Sequence, residues 1–415
     1  MKFLYNCLIQ VFEWSLPILG IFFSRLRTFY QERRVSKVEL KKYLESNQKK
    51  SFIWVHVSSL GEYEQVVPVI AKLKIHYTEH SFIISFFSDS GYRVKKNKSV
   101  GDFETYLPLD TSGNAKEFID NIKPKFVIFV KYDIWPNYLN YLKEREIPSF
   151  LVASRFRRNQ IYFKLYGGFF KRALLSFNHI FVQDEASGQL LNKIKFKNWT
   201  VSGDTRYDRV SLQLKQDNRL DFMEAFVEDK LCMVCGSTWQ EGENKLIPTI
   251  NSKEINIKFV IAPHQIDQQH IAEIEQKLKK PLIKYSEIKN QNLQDYDILI
   301  LDTVGILTKV YAYANMAYVG GGYGNSGLHN ILEPAAFSIP ILIGPNHHKF
   351  PEAKLLENSG GLKVVHSENE MFEIISKIFR HRDLRDKMSK SSKAFILNQI
   401  GATDITIKGI LDNLN

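Results

Sequence analysis

The segment Ala317–Pro340, AYVGGGYGNSGLHNILEPAAFSIP, carries residue types in an order that suits a nucleotide-sugar. A short apolar run, Met316 to Val319, reads as a buried strand ended by Gly320, Gly321 and Gly322. Gly324 and Gly327 continue the loop, and His329-Asn330-Ile331-Leu332-Glu333-Pro334 then opens a helix. Asn330 and Glu333 have capping-box-like spacing, and Pro334 is tolerable only in a first turn. Glycines let phosphates approach the backbone, and a helix start offers unpaired N–H groups with partial positive charge. A carboxylate there, Glu333, can accept hydrogen bonds from ribose hydroxyls. The same order also fits a plain glycine-rich turn between a strand and a helix. Ser237 and Thr238 in GSTWQEGE stand at a second such turn, where hydroxyls and backbone N–H groups suit phosphate.

A different set of groups lies earlier in the chain. Ser58-Ser59-Leu60-Gly61-Glu62 offers one isolated carboxylate, Lys131 to Asn137 a lysine near Asp133, and Ser154-Arg155 a further cation. Cys232-x-x-Cys235 falls in a strand, where positions i and i+3 face opposite ways, and no second cysteine pair completes a zinc site. His347-His348 lacks convergent carboxylates in sequence and reads as a solvated loop.

The elements that position these groups alternate strand with helix. Strands are predicted at Phe52–Val57, Ser81–Ser85, Phe126–Val130, Pro148–Ala153 and His179–Gln183. The same grammar restarts after Gly203, with strands at Leu231–Cys235, Lys258–Ala262, Asp297–Leu301, Met316–Val319 and Ile339–Ile343. Tyr63 to Tyr77 has apolar positions at helical spacing. Alternation of this kind implies parallel sheets with helices on both faces, here in two halves joined near residues 205–225. In open α/β sheets ligands sit beyond the carboxyl ends of strands, where the loop groups at 58–62, 131–137, 154–155, 237–238 and 320–333 fall.

At 415 residues the chain exceeds one core and divides into two domains of ordinary size. A net charge of +11 suits nucleic acid, an anionic membrane or phosphorylated substrates, and no nucleic-acid module is recognisable. Three cysteines fit a reducing compartment. Phe3 to Phe23 is about long enough to span a bilayer, although Asn6, Gln10, Glu13 and Pro17 interrupt it. Arg25, Arg27, Arg33 and Arg34 follow, which places everything downstream on the cytoplasmic side of a membrane anchored by residues 1–24, whether that segment spans or lies flat. A helix docked on the protein is the alternative.

Seven loop motifs, in order, resemble the bacterial 3-deoxy-D-manno-octulosonic acid (Kdo) transferases. They are HVSSLGE (His56–Glu62), a strand followed by Trp135-Pro136-Asn137, VSGDTRYD (Val201–Asp208), GSTWQEGE (Gly236–Glu243), APH (Ala262–His264), DTVG (Asp302–Gly305) and VGGG…GLHNILEPAA. The resemblance implies a GT-B fold with two facing Rossmann-like domains and parallel sheets, plus the N-terminal membrane-anchoring helix. It implies an acceptor-binding domain at 35–210, a CMP-Kdo-binding domain at 220–393, and a C-terminal helix at 394–415 that crosses back to the first. The implied activity is inverting, metal-independent and cofactor-free transfer of Kdo from CMP-Kdo to lipid IVA at the cytoplasmic face of the inner membrane. The alternatives are a GT-B enzyme with another nucleotide-sugar, or a non-catalytic nucleotide-binding membrane protein.

The resemblance makes Glu62 the general base and puts Arg206 where the family has a transition-state lysine. Lys131-Tyr132-Asp133 replaces a common Glu-Thr-Glu; Asp133 is expected on the same face as Lys131 if the strand continues, keeping part of the carboxylate's role while Lys131 contacts a phosphate or the donor carboxylate. CMP contacts fall on Pro263 and His264, on Val304, Gly305 and Ile306, and on Asn330, Ile331, Leu332 and Glu333. His264 stands where an arginine is usual, and Ile306 where a glutamate is common.

Overall fold

The computed structural model describes residues 1–414. The chain forms two units, Met1–Arg209 with Ile400–Asn415, and Val210–Gln399. Each is built on a seven-stranded, all-parallel sheet.

In the first unit the strands are β1 (Ser51–Val57), β2 (His80–Phe86), β3 (Phe103–Tyr106), β4 (Pro124–Val130), β5 (Ser149–Ser154), β6 (His179–Val182) and β7 (Trp199–Val201). Their order is β3-β2-β1-β4-β5-β6-β7. The chain winds outward from β1 in one direction, then returns to β4 and winds the other way. This reversal at β1/β4 is the switch point where open α/β sheets bind ligands. Helices cover both faces, as a parallel sheet requires. One core holds Trp54, Phe129 and Tyr138, and the other Val55, Ile84 and Phe150.

The second unit repeats the plan with β8 (Cys232–Thr238), β9 (Lys258–Pro263), β10 (Leu282–Lys284), β11 (Ile298–Ile300), β12 (Met316–Val319), β13 (Ile341–Ile343) and β14 (Leu362–Val364), ordered β10-β11-β9-β8-β12-β13-β14. Its switch point is β8, between β9 and β12. Cys232 and Cys235 are free thiols in the cores on opposite faces of this sheet.

Three helices frame the first site. Helix α1 (Lys2–Phe22) is long and apolar enough to cross a membrane, with Pro17 inside it. It turns at Phe23 into α2 (Ser24–Ser46), and Arg27 closes the turn by donating from Nε to the Gly20 carbonyl (2.8 Å). Helix α3 (Leu60–His76) follows β1 directly. The stretch expected as one helix over 394–415 is two, because Arg382–Leu397 ends before Gly401, which takes φ +120°. The second of them, Ala402–Leu414, belongs to the first unit and puts Ile407 and Ile410 into its core. Asp208 caps that helix, accepting from the N–H groups of Gly401 and Thr403 (both 2.7 Å) and from the Thr403 hydroxyl (2.8 Å).

Candidate active site

Glu62 sits in the first turn of α3, at the carboxyl end of β1, and is half-buried. Its Oε2 accepts from the Ser59 N–H (2.8 Å) and the Ser59 hydroxyl (3.2 Å), closing a capping box with Ser59. The cap fixes the carboxylate and leaves Oε1 with no protein hydrogen bond among the described residues.

The Lys131–Asp133 turn lies beside it. The strand β4 ends at Val130, and Lys131 takes φ +58°, so period-two alternation does not carry from Lys131 to Asp133. The expectation that the two share a strand face fails for this reason. Asp133 turns inward and is buried, accepting from the Ser58 hydroxyl at Oδ1 (2.6 Å) and facing His56 Nε2 at Oδ2 (3.6 Å). Burial, then the nearby Glu62 charge, push the Asp133 carboxyl well above the usual carboxylate range, against the pull of Ser58 and Lys131. His56 is held neutral by burial, its pKa lowered to about 3. Its Nδ1 bonds Ser85 Oγ (2.8 Å), which also accepts from Trp54 Nε1 (2.7 Å).

Arg206 approaches through α3. Asp204 accepts from its Nε (2.9 Å), and also from Gln65 of α3 (3.3 Å). Thr205 donates its hydroxyl to the Gln65 carbonyl (2.6 Å). Burial raises the Asp204 pKa, but the Arg206 charge and these donors outweigh it, so the carboxylate stays ionised. The GDTRYD segment therefore grips the helix whose first turn carries Glu62. Glu62 and Lys131 both lie close enough to Asp133 to act on it electrostatically, and Arg206 is joined to the helix that carries Glu62.

In the second unit, the ends of β8, β9 and β12 converge. Gly320 packs so tightly on Ser237 that a Cβ would lie 2.0 Å from the Ser237 carbonyl oxygen, and Gly321 has φ +87°. Ser237 is itself at φ +51°. Thr238 is buried and gives its hydroxyl to Glu243 (2.7 Å), so that hydroxyl is spent internally and does not face a phosphate.

Pro263 ends β9, and the next N–H, that of His264, donates to the Thr238 carbonyl (2.9 Å) and ties the end of β9 to β8. The His264 ring lies against Trp239 (centroids 4.7 Å, stacked) and against His329 (4.5 Å). Trp239 Nε1 donates to His329 Nε2 (2.8 Å). An indole N–H can only donate, so His329 is neutral and carries its proton on Nδ1. Burial, then the neighbouring His264, lower the His329 pKa to about 4. The helix after this loop is only Leu332–Ala336. Asn330 Oδ1 accepts from the Leu332 N–H (3.1 Å), while its Nδ2 donates to Glu333 Oε1 (2.9 Å), so the pair bonds side chain to side chain. Glu333 Oε2 accepts from Thr308 (2.8 Å). Val304 is exposed, Gly305 has φ +94°, and Ile306 packs against the core. Among the described residues, no group of three or more His, Cys, Asp or Glu is placed to hold a metal ion.

Comparison with known proteins gives one consistent resemblance. Residues 30–209 match the family described as 3-deoxy-D-manno-octulosonic-acid transferase (kdotransferase). The enzyme of that name from Haemophilus influenzae is 25% identical over 366 residues, covering 84% of this chain and 84% of that protein. The one from Aquifex aeolicus is 27% identical over 328 residues, covering 78% and 84%. Residues 30–209 thus carry a domain of the Kdo transferase family, and the chain is similar over most of its length to proteins of that name. Solved structures agree on the fold alone: UDP-GlcNAc 2-epimerase from Neisseria meningitidis superposes with a TM-score of 0.63 at 15% identity, over 87% of this chain and 100% of that one. MurG from Acinetobacter baumannii gives 0.52 at 12%, over 88% and 99%. The chain thus has a GT-B-like fold, with a glycosyltransferase-family domain at residues 30–209.

Three residues outside the sequence-derived site set enter the geometry: His56, Trp239 and His329. All lie inside recognised motifs, and only the fold brings their rings to Asp133 and His264. The signal available in sequence was the position of His56 and Trp239 beside a strand end, and for His329 its place in the loop ahead of the Asn330–Glu333 pair.

Proposed function

We propose that this protein is a Kdo transferase that moves Kdo from CMP-Kdo to lipid IVA, with inversion and without a metal or other cofactor. The observation that carries the reading is the half-buried Glu62, with Oε2 held by the α3 cap and Oε1 open. In this reading Oε1 takes the proton of an acceptor hydroxyl as its oxygen attacks the anomeric carbon. The new C–O bond forms while the bond to the CMP phosphate breaks, and CMP leaves with the electron pair. Arg206 offsets charge on the departing phosphate or holds the sugar carboxylate. Lys131 contacts an acceptor phosphate or the donor carboxylate. Asp133, buried and bonded to Ser58, supports the loop more than it presents a carboxylate to the sugar.

The second unit holds CMP. Pro263, His264, Val304, Gly305, Ile306 and Asn330 to Glu333 are its contacts, with the Ser237 and Thr238 backbone near the phosphate. The acceptor is a phosphorylated glycolipid, so the enzyme works at the cytoplasmic face of the inner membrane, with α1 as anchor and basic residues meeting anionic lipid. Two family departures, His264 and Ile306, favour testing a second donor such as a UDP-sugar.

The test incubates the detergent-solubilised chain with tetra-acylated lipid A precursor and CMP-Kdo generated in place, or with UDP-GlcNAc, and follows product mass. Growth by Kdo units with CMP-Kdo alone is expected. Growth only with the UDP-sugar, or none from a folded protein that binds CMP, would overturn the assignment of donor or acceptor.

A further inference from the structure

We propose that α1 lies flat in the bilayer–water interface and does not cross the bilayer, with its polar face latched to the first unit. This rests on the membrane part of the reading above and decides how the anchor is held.

Helix α1 has two opposed faces. Leu4, Leu8, Val11, Trp14, Ile18 and Phe22 are all more than half exposed, and their three- and four-residue spacing puts them along one side. The opposite side is held by protein. Tyr5 Oη donates to Asp110 Oδ2 (2.8 Å), Asn137 Nδ2 donates to Asn6 Oδ1 (2.9 Å), and Asn114 Nδ2 donates to Glu13 Oε1. Leu16 and Gly20 are buried on the same side. From Tyr5 to Gly20 the attachment runs roughly 22 Å at 1.5 Å per residue. A hydrocarbon core about 30 Å thick needs about twenty residues of free helix. A helix fastened to a folded unit over most of its length has none to spare. Two of the polar residues that interrupt the apolar run, Asn6 and Glu13, find partners on the first unit, Gln10 in turn donates to Glu13, and Tyr5 is bonded likewise, where hydrocarbon would offer no such partners.

The charge around the helix start fits the same placement. Lys2, Lys143 and Arg172 line a cavity of about 400 Å³ with Asn140, Glu144 and Phe169. The Phe169 ring packs 5.2 Å from Tyr5, so this cationic cavity adjoins the latched face. An anionic bilayer surface supplies phosphates at the level where an in-plane helix would hold these cations.

The experiment uses the full chain with Cys7→Ser and one cysteine added ahead of Met1; Cys232 and Cys235 are buried. The protein is added to sealed phosphatidylethanolamine/phosphatidylglycerol vesicles, floated, and treated with a membrane-impermeant maleimide. Labelling of the added cysteine to the same extent before and after detergent is expected. Trp14 should be quenched more by lipids brominated near the headgroup than by those brominated near the chain ends. Labelling that appears only after detergent would show a spanning helix and overturn the proposal, while leaving membrane attachment intact. Failure to float would overturn the membrane reading itself. Partition onto phosphatidylcholine vesicles should be about tenfold weaker or more, given three basic residues at the surface; equal partition would overturn the role of the cationic cavity.

Discussion

His56 Nε2 and Asp133 Oδ2 lie 3.6 Å apart inside the first unit, and neither atom has a hydrogen-bond partner among the described residues. The distance would suit an ion pair, but burial works against the charged form of both groups, lowering the His56 pKa to about 3 and raising the Asp133 carboxyl well above the usual carboxylate range. In its protonated form the Asp133 carboxyl would face a neutral imidazole nitrogen.

Asp133→Asn mimics the neutral acid and tests that state. A group whose folded pKa is raised binds its proton more tightly when folded, so it costs stability as pH rises above its unfolded value, roughly 3.9. The variant should therefore match or exceed the parent's thermal midpoint at neutral pH, and lose part of the decline in stability as pH rises. A midpoint several degrees lower at pH 7 would mean that Asp133 is a stabilising carboxylate.

The Trp239–His329 bond gives a pH dependence of opposite sign. His329 has its folded pKa lowered to about 4, so its contribution is present above its unfolded value near 6.5 and is lost as pH falls toward 4. Trp239→Phe removes the donor that fixes the tautomer. The His329 pKa, followed by NMR, should rise, and CMP affinity should fall roughly three- to tenfold for one hydrogen bond and part of a stack. An unchanged CMP affinity would take this aromatic group out of the donor site.

Much of this was legible in the sequence, for a physical reason. All ten strands read from apolar runs are interior strands, each flanked on both sides and buried. The four that escaped, β3, β7, β10 and β14, are the edges of the two sheets. Edge strands here are three or four residues long and partly exposed, as in β7, so they carry little apolar signal. The site loops were legible by type and order, but side-chain direction was not. Lys131 leaves the strand through a left-handed backbone, and Thr238 spends its hydroxyl on Glu243; neither follows from spacing.

Asp208 offers a test of how the last helix is held. Asp208→Ala removes three hydrogen bonds to Gly401 and Thr403, leaving buried donors unpaired at about 1–3 kcal/mol. Hydrogen exchange over residues 402–414 should accelerate with little change in the second unit. Unchanged protection there would show that Ile407 and Ile410 hold the helix without the cap.

Arg206 is expected to act both on the reaction and on the fold. Arg206→Lys restores the residue type the family carries here and keeps the charge, so kcat should be largely retained, while loss of the guanidinium contacts to Asp204 lowers the thermal midpoint slightly. Arg206→Ala should lower both, since Asp204 is buried and loses its main partner. An Ala variant with a lowered midpoint but full activity would reduce Arg206 to a positioning role for α3.

The most direct test of the central claim separates the two jobs of Glu62. Glu62→Gln keeps an oxygen to accept from the Ser59 N–H and so keeps the cap, whereas Glu62→Ala loses it at about 1 kcal/mol. Single-turnover transfer of Kdo to lipid IVA should fall by at least roughly a hundredfold in the Gln variant, with an unchanged thermal midpoint and CMP affinity. Transfer near the parent rate in that folded, CMP-binding variant would contradict the account, because the carboxylate would then be a helix cap and not the base.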